Sequence, residues 1–225
     1  MFITFEGSDG SGKTTQIRLA AEWLREQGHE VLLTREPGGT SIGDRVRALL
    51  LEHSGESAMQ PRTELLLFCA SRAQLVAEVI RPWLTQGGIV LCDRYADSTL
   101  AYQGYGHGLD LPTLRTILDF ATASLKPDLT IFLDLDPELG LIRRRTARFQ
   151  GEDWNRMDEM ELAFHRRVYA GYAQLIAQEP QRWARIQADA AEDDVQVALR
   201  EAIRARLRGA LNAPAPAKDE AHGTD

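Results

Sequence analysis

Five short apolar runs recur along the chain: MFITF (1–5), EVLLT (30–34), GIVLC (88–92), LTIFLDL (129–135) and RWARIQA (182–188). Between them lie longer stretches whose apolar residues return at helical spacing, at 13–27, 42–52, 62–86, 111–123, 137–148, 158–178 and 192–208. Continuous apolar strands alternating with helices predict an α/β fold, with a parallel sheet buried on both faces. The first helix is expected to stop near Gly28. No segment repeats, so one domain over 1–208 is expected. The final stretch NAPAPAKDEAHGTD (212–225) is rich in Ala, Pro and charge and predicts a disordered tail.

Composition changes this picture little. The 225 residues are 44% hydrophobic and 26% charged, as in ordinary water-soluble domains, and allow a sizeable core. A net charge of −7 argues against broad nucleic-acid binding, which favours a basic surface. The two cysteines, Cys69 and Cys92, stand among apolar residues and read as buried free thiols. No signal peptide or membrane-length apolar run is evident, so a cytoplasmic protein with no membrane partner is expected.

The chemistry begins directly after the first strand. Gly7-Ser8-Asp9-Gly10-Ser11-Gly12-Lys13-Thr14 matches G-x-x-x-x-G-K-[ST] in full, between a strand and a helix. Backbone N–H groups from Gly7 to Thr15 would cradle nucleotide phosphates at a helix N-terminus. In such a loop Lys13 reaches the β/γ-phosphates and the Thr14 hydroxyl binds Mg²⁺. A carboxylate at the end of a neighbouring strand should help hold the metal. Asp93 is the first candidate because Arg94, a phosphate ligand, follows it at once; Asp134 and Asp136 end another strand.

In residues 62–81 a helical stripe runs Leu65, Cys69, Arg72, Val76 and Val79. Arg72 is its odd member, since a guanidinium facing a core needs a partner. Phe68 lies four residues before it on a neighbouring part of the same face. Ring and guanidinium together could stack a nucleobase and bond its edge. Equally, Phe68 could be core and Arg72 could pair with an acid such as Glu78 or Asp97.

The P-loop, TREPGGT (34–40), LLLFCASRAQ (65–74), DRYADSTLAYQG (93–104) and NRMD (155–158), in this order, resemble the thymidylate kinase family over roughly residues 2–187. The resemblance implies a nucleoside-monophosphate-kinase fold, with a five-stranded parallel sheet flanked by helices and a mobile lid. The implied activity is transfer of the γ-phosphoryl of ATP to thymidine monophosphate, with Mg²⁺, by a homodimer. It places Phe68 on the thymine ring and Arg72 at a thymine carbonyl, with Gln103 and one of Ser98 and Thr99 completing the contacts to the base. Arg94 would bind the acceptor phosphate, Arg35 and Glu36 would shape that side, and Arg47 would lie near base and phosphate. Asp9 would meet the sugar 3′-hydroxyl and Tyr102 would crowd the 2′ position. From the residues alone, Tyr102 also fits a packing role, Arg35 and Arg47 fit surface ion pairs, and Glu36 fits a place by water or metal.

Phosphoryl transfer needs alignment, metal and positive charge on the transferring group. One branch of the family supplies charge from an arginine in the P-loop, at the position held here by Gly10. The segment RRRTARFQGEDWNRMDEM (143–160) instead resembles the arginine-bearing lid of the largely bacterial branch, with the lid at about 143–157. Arg143 and Arg148 are expected to close on the ATP phosphates, with Arg156 next. A deoxynucleoside kinase is the rival enzyme and would need a carboxylate base at its acceptor hydroxyl. A GTP switch should carry an N-K-x-D motif, which is absent from the sequence.

Overall fold

The computed structural model describes residues 1–51, 59–149 and 159–211. The predicted tail (212–225), the second half of the predicted lid and Arg156 lie outside the described residues.

Five parallel strands form one sheet in the order β2-β3-β1-β4-β5: β1 (Phe2–Gly7), β2 (Val31–Arg35), β3 (Ile89–Asp93), β4 (Leu129–Asp134) and β5 (Trp183–Gln187). The apolar runs located all five. β1 and β4 are buried along their whole length, which is why they lack polar alternation. β1 pairs on one side with β3, Phe5 opposite Asp93, and on the other with β4, Gly7 opposite Leu133. The chain passes outward from β1 to β2, returns to β3, and then crosses to β4. The carboxyl ends of β1 and β3 therefore lie beside the point where the winding reverses, the usual position of a ligand crevice in such sheets.

Helices cover both faces. α1 (Lys13–Glu26) and α9 (Glu192–Leu211) pack on one face, through Ile17, Leu24, Val195, Leu199 and Ile203 against Ile3, Phe5, Leu91 and Leu133. On the other lie α3 (Pro61–Leu75), α6 (Leu111–Thr122) and α8 (Leu162–Gln178), through Leu65, Leu114, Leu118, Val168 and Tyr172 against Phe132. α2 (Ser41–Leu51) packs on α3, and α7 (Pro137–Phe149) follows β4. Local signals set several ends: Pro61 opens α3, and Asp110 Oδ2 accepts the Thr113 N–H at 2.9 Å to start α6.

Two departures from the sequence expectation bear on the site. The helix expected over 62–86 is interrupted by a π-helical stretch (Val76–Ile80) before the short α4 (Arg81–Thr85), which carries Pro82. The run after β3, which carries no helical periodicity, folds as α5 (Ala96–Thr99) continuing into a π-helical turn (Leu100–Gly106). Two glycines explain that packing. A Cβ at Gly106 would lie 2.7 Å from the Phe164 ring, and one at Gly171 would lie 2.6 Å from the Tyr105 ring. The turn and α8 thus meet at a distance only glycine permits. Cys69 and Cys92 are buried and free, as expected.

Candidate active site

The P-loop leaves the end of β1 and runs into α1. Lys13 is buried and its Nζ turns back on the loop, donating to Ser8 O at 2.8 Å and Gly7 O at 3.1 Å. Burial, reinforced by nearby Arg94, pushes the Lys13 ammonium down to about 8, against the pull of Asp9, Asp93 and Glu6. Thr14 donates to Asp93 Oδ2 at 3.4 Å. A hydroxyl from the first turn of α1 and a carboxylate from the end of β3 therefore stand together, which fits a Mg²⁺ shared with nucleotide phosphates. Among the described residues no group of three or more His, Cys, Asp or Glu forms a metal site built from protein alone. Asp134 and Asp136 do other work: Asp134 takes Arg185 Nε at 2.6 Å and the Tyr169 hydroxyl, while Asp136 accepts the Glu138 N–H at the start of α7.

Beside the loop opens a cleft. Its lining includes Asp9, Glu36, Arg47, Phe68, Arg72, Arg94, Ser98, Thr99, Tyr102 and Gln103, all singled out in the sequence, together with Pro37 and Leu51. A concave lining that mixes apolar and aromatic groups with a few polar ones suits a small ligand. Arg35 is exposed and not among the lining residues, yet its charge is felt by Arg47. The Arg47 guanidinium is pushed down by partial burial and then by Arg35, against the pull of Asp93 and Asp44. Arg47 Nη1 donates to Pro37 O at 3.1 Å.

Each cleft arginine is held by several partners. Arg94 Nη2 donates to Asp9 Oδ1 at 2.6 Å and to the Tyr102 hydroxyl at 3.2 Å, and Nη1 to Ser98 Oγ at 3.2 Å. The Tyr102 hydroxyl in turn donates to Asp9 Oδ2 at 3.1 Å. Although burial would raise it, Arg94 and Lys13 hold the Asp9 carboxyl well below the usual range. Arg94 has φ 68°, left-handed for a residue with a side chain, a cost of about 1–3 kcal/mol that clusters at functional sites. Arg72 is 1% exposed. Its partners are Glu36 Oε2 (Nε, 2.7 Å), Thr99 Oγ1 (Nη1, 3.1 Å) and the Tyr95 carbonyl (Nη2, 3.1 Å). The acids weighed from sequence are not its partners: Glu78 accepts from Gln74, and Asp97 takes Arg182. Ser98 and Thr99, rivals for one role in the sequence, instead brace different arginines.

A family model for thymidylate kinase matches residues 5–199. The thymidylate kinase of Roseiflexus castenholzii is 57% identical over 192 residues, 81% of this chain and 83% of that one. That of Trichormus variabilis is 46% identical over 209 residues, 92% of this chain and 97% of that one. The crystal structure of thymidylate kinase from Ehrlichia chaffeensis superimposes with a TM-score of 0.72 at 36% identity, covering 90% of this chain and 98% of that one. The chain belongs to the thymidylate kinase family. It is an ATP-dependent transferase that phosphorylates thymidine monophosphate.

The family's two arrangements of catalytic arginine can be compared with the geometry at Gly10. Gly10 has φ 78°, and a Cβ there would collide with the Gly140 carbonyl on α7; a Cβ at Gly140 would collide with the Asp9 carbonyl. In this kinase the P-loop tip rests against the backbone of α7, leaving no room for an in-loop arginine. Arg143 and Arg148, expected to belong to a lid, lie further along the same helix. Arg143 donates to Ala188 O at 3.2 Å, and Arg148 is exposed in the last turn.

Sequence reasoning missed the carboxylates and tyrosines behind the cleft. Glu6, wholly buried in β1, accepts from Ser98 Oγ at 2.5 Å, the Tyr172 hydroxyl at 2.7 Å and the Tyr95 N–H at 2.9 Å. Burial, opposed by Arg94, pushes its carboxyl up to about 7. Glu64 on α3 accepts from Gln103 Nε2 at 2.6 Å. A charged residue inside an apolar strand (Glu6 in FITFEG) was the one available signal for the first. His165, on α8, is buried.

Proposed function

We propose that this kinase divides its work between a prebuilt acceptor cleft and a donor side completed by ATP, in one domain over 1–208. Thymidine monophosphate lies in the cleft with its base against Phe68 and its edge read by Arg72 and Gln103. Its phosphate is held by Arg94 with Arg47 and Arg35, and its sugar lies near Asp9 and Tyr102. Gly7 to Thr15 take the ATP phosphates, with Lys13 released from Ser8 O and Gly7 O to do so. Mg²⁺, held by Thr14 and by Asp93 through water, would neutralise charge on the β- and γ-phosphates. The acceptor oxygen is anionic and needs no general base. Arg94 aligns that oxygen, and Arg143, Arg148 and Arg156 are placed in sequence to add charge as the phosphoryl group transfers.

The observation that carries this reading is the joint lining of one cleft by Phe68, Arg72 and Gln103, suited to a planar base, and by Arg94 and Arg47, suited to a phosphate. A homodimer is part of the proposal. Helices α3 and α6 pack together and expose Leu66 (58%) and Phe120 (89%), an apolar face suited to a second copy. A cytoplasmic setting, without nucleic acid or membrane, agrees with the two free thiols and with the absence of a membrane-length apolar helix among the described residues. A coupled ADP-release assay with thymidine, thymidine monophosphate and other monophosphates tests the reading. Turnover of thymidine without turnover of its monophosphate would replace it with the deoxynucleoside kinase alternative.

A further inference from the structure

Glu64, Phe68 and Arg72 stand at i, i+4 and i+8 on α3, so they form one row along one face of the helix. Phe68 and Arg72 line the cleft, whereas Glu64 lies behind it, 1% exposed. What Glu64 reaches is Gln103, itself buried and lining the cleft: the amide Nε2 donates to Glu64 Oε1 at 2.6 Å. His107 Nε2 approaches the same oxygen at 3.4 Å.

A glutamine amide can ordinarily turn over, exchanging a donor face for an acceptor face at little cost. A carboxylate removes that freedom because it only accepts. With Nε2 committed to Glu64, the amide oxygen takes the other position, and no protein donor claims Gln103 Oε1 among the described residues. Arg72, by contrast, can only donate. The two side chains therefore offer a base edge one donor and one acceptor in a fixed arrangement. That arrangement complements a ring carbonyl beside a ring N–H, as in thymine or uracil. It opposes cytosine at both positions, where an amino group and an unprotonated ring nitrogen take their places.

We propose that Glu64 is a positioning residue that locks the Gln103 amide with its oxygen toward the cleft, and so sets the preference for a base with a ring N–H over cytosine. Its own side chain does not touch the acceptor. The inference rests on thymidylate as the acceptor of this site.

The test uses the full-length enzyme, saturating ATP, and thymidine and deoxycytidine monophosphates as paired acceptors. Glu64→Gln keeps the shape but lets the amides turn. It is expected to raise KM for thymidylate about tenfold or more, to leave kcat within about threefold, and to lower the thymidylate preference at least tenfold in kcat/KM. The exchange Glu64→Gln with Gln103→Glu restores one carboxylate and one amide with an acceptor again facing the cleft, and should recover the preference. A purely structural role for Glu64 would lower thermal stability without moving the ratio. A folded Glu64→Gln enzyme with the wild-type ratio, or an exchanged pair that does not regain it, overturns the inference. Should Glu64→Gln fail to fold, the exchanged pair decides. Wild-type enzyme turning over both nucleotides equally would also overturn it. Wild-type enzyme inactive on thymidylate would remove the acceptor reading first, and this inference with it.

Discussion

The acceptor cleft and the donor side of this kinase are built on opposite plans. In the cleft, Arg72 has three kinds of partner and Arg94 has four, and their partners are in turn tied to β1, α3 and α8. On the donor side Lys13 binds its own loop and Arg143 a backbone carbonyl, while Arg148 is exposed in the last turn of α7. On the proposed assignment, a base and a monophosphate would meet a surface whose rotamers are set in advance, which lowers the ordering cost of binding. The triphosphate would meet groups that change partners when it arrives. The difference suits an enzyme that must keep transferable phosphate away from water until its acceptor is in place.

Substitutions can break or sharpen this contrast. Arg94→Ala removes the most heavily braced cation and leaves Asp9 and Tyr102 without it. A fall in kcat of roughly 10³-fold is expected, the upper range for loss of one charge-stabilising group. Single-turnover rates at saturating substrates measure it, and a loss confined to KM would show that Arg94 only binds. Arg148→Ala should lower kcat by about 10²-fold with little change in either KM, since its contact forms only as charge develops. An unchanged rate would move that role to Arg143 or Arg156.

Phe68→Ala acts on the prebuilt side alone. Loss of base stacking, ~2 kcal/mol, should raise KM for thymidylate about 30-fold and leave KM for ATP unaltered. Lowered stability with normal KM would return Phe68 to the core. Gly140→Ala probes the seam between the two regions, because Asp9 gives its backbone to the P-loop and its side chain to the cleft. The added methyl must displace the Asp9 carbonyl. Both KM values should rise, by roughly tenfold for a substitution costing about 1–2 kcal/mol. A rise in only one would separate the regions more fully than the contact suggests.

The smallest effect concerns pH. Lys13 is pushed down to about 8 in the free enzyme, and ATP phosphates favour its charged form. Binding near pH 8 should therefore take up a proton, and affinity for ATP should fall as pH rises through that value. A rise in KM for ATP of roughly fourfold is expected between pH 7 and 8.5, with KM for thymidylate nearly flat. Calorimetry in buffers of different ionisation enthalpy counts the proton directly. No proton uptake at pH 8 would place the Lys13 titration elsewhere.

Much of this molecule is legible in its sequence because the signals are local. Five apolar runs became five strands, an eight-residue motif became the loop between β1 and α1, and ten cleft residues were named before any coordinates. Asp93 rather than Asp134 could be preferred from its neighbour Arg94 alone. The π-helical turn at Leu100–Gly106 was not legible, since its stability comes from α8, more than 50 residues along the chain, closing on Gly106. Nor were the partners of Arg72: Glu36 lies 36 positions before it, and nothing along the helix points there.

The sequence by itself determined the layered α/β architecture, the loop between β1 and α1 and the identity of ten groups that line the cleft. Each depends on residue type and short spacing. Tertiary structure alone decided how those groups are held. It paired Arg72 with Glu36, gave Ser98 and Thr99 separate arginines to brace, turned Gln103 toward Glu64, and set Gly10 against Gly140. Those outcomes depend on which strand ends and helix faces the parallel winding brings together. Arg72–Glu36 at 2.7 Å and Gln103–Glu64 at 2.6 Å join residues dozens of positions apart and carry no trace in the spacing of either residue.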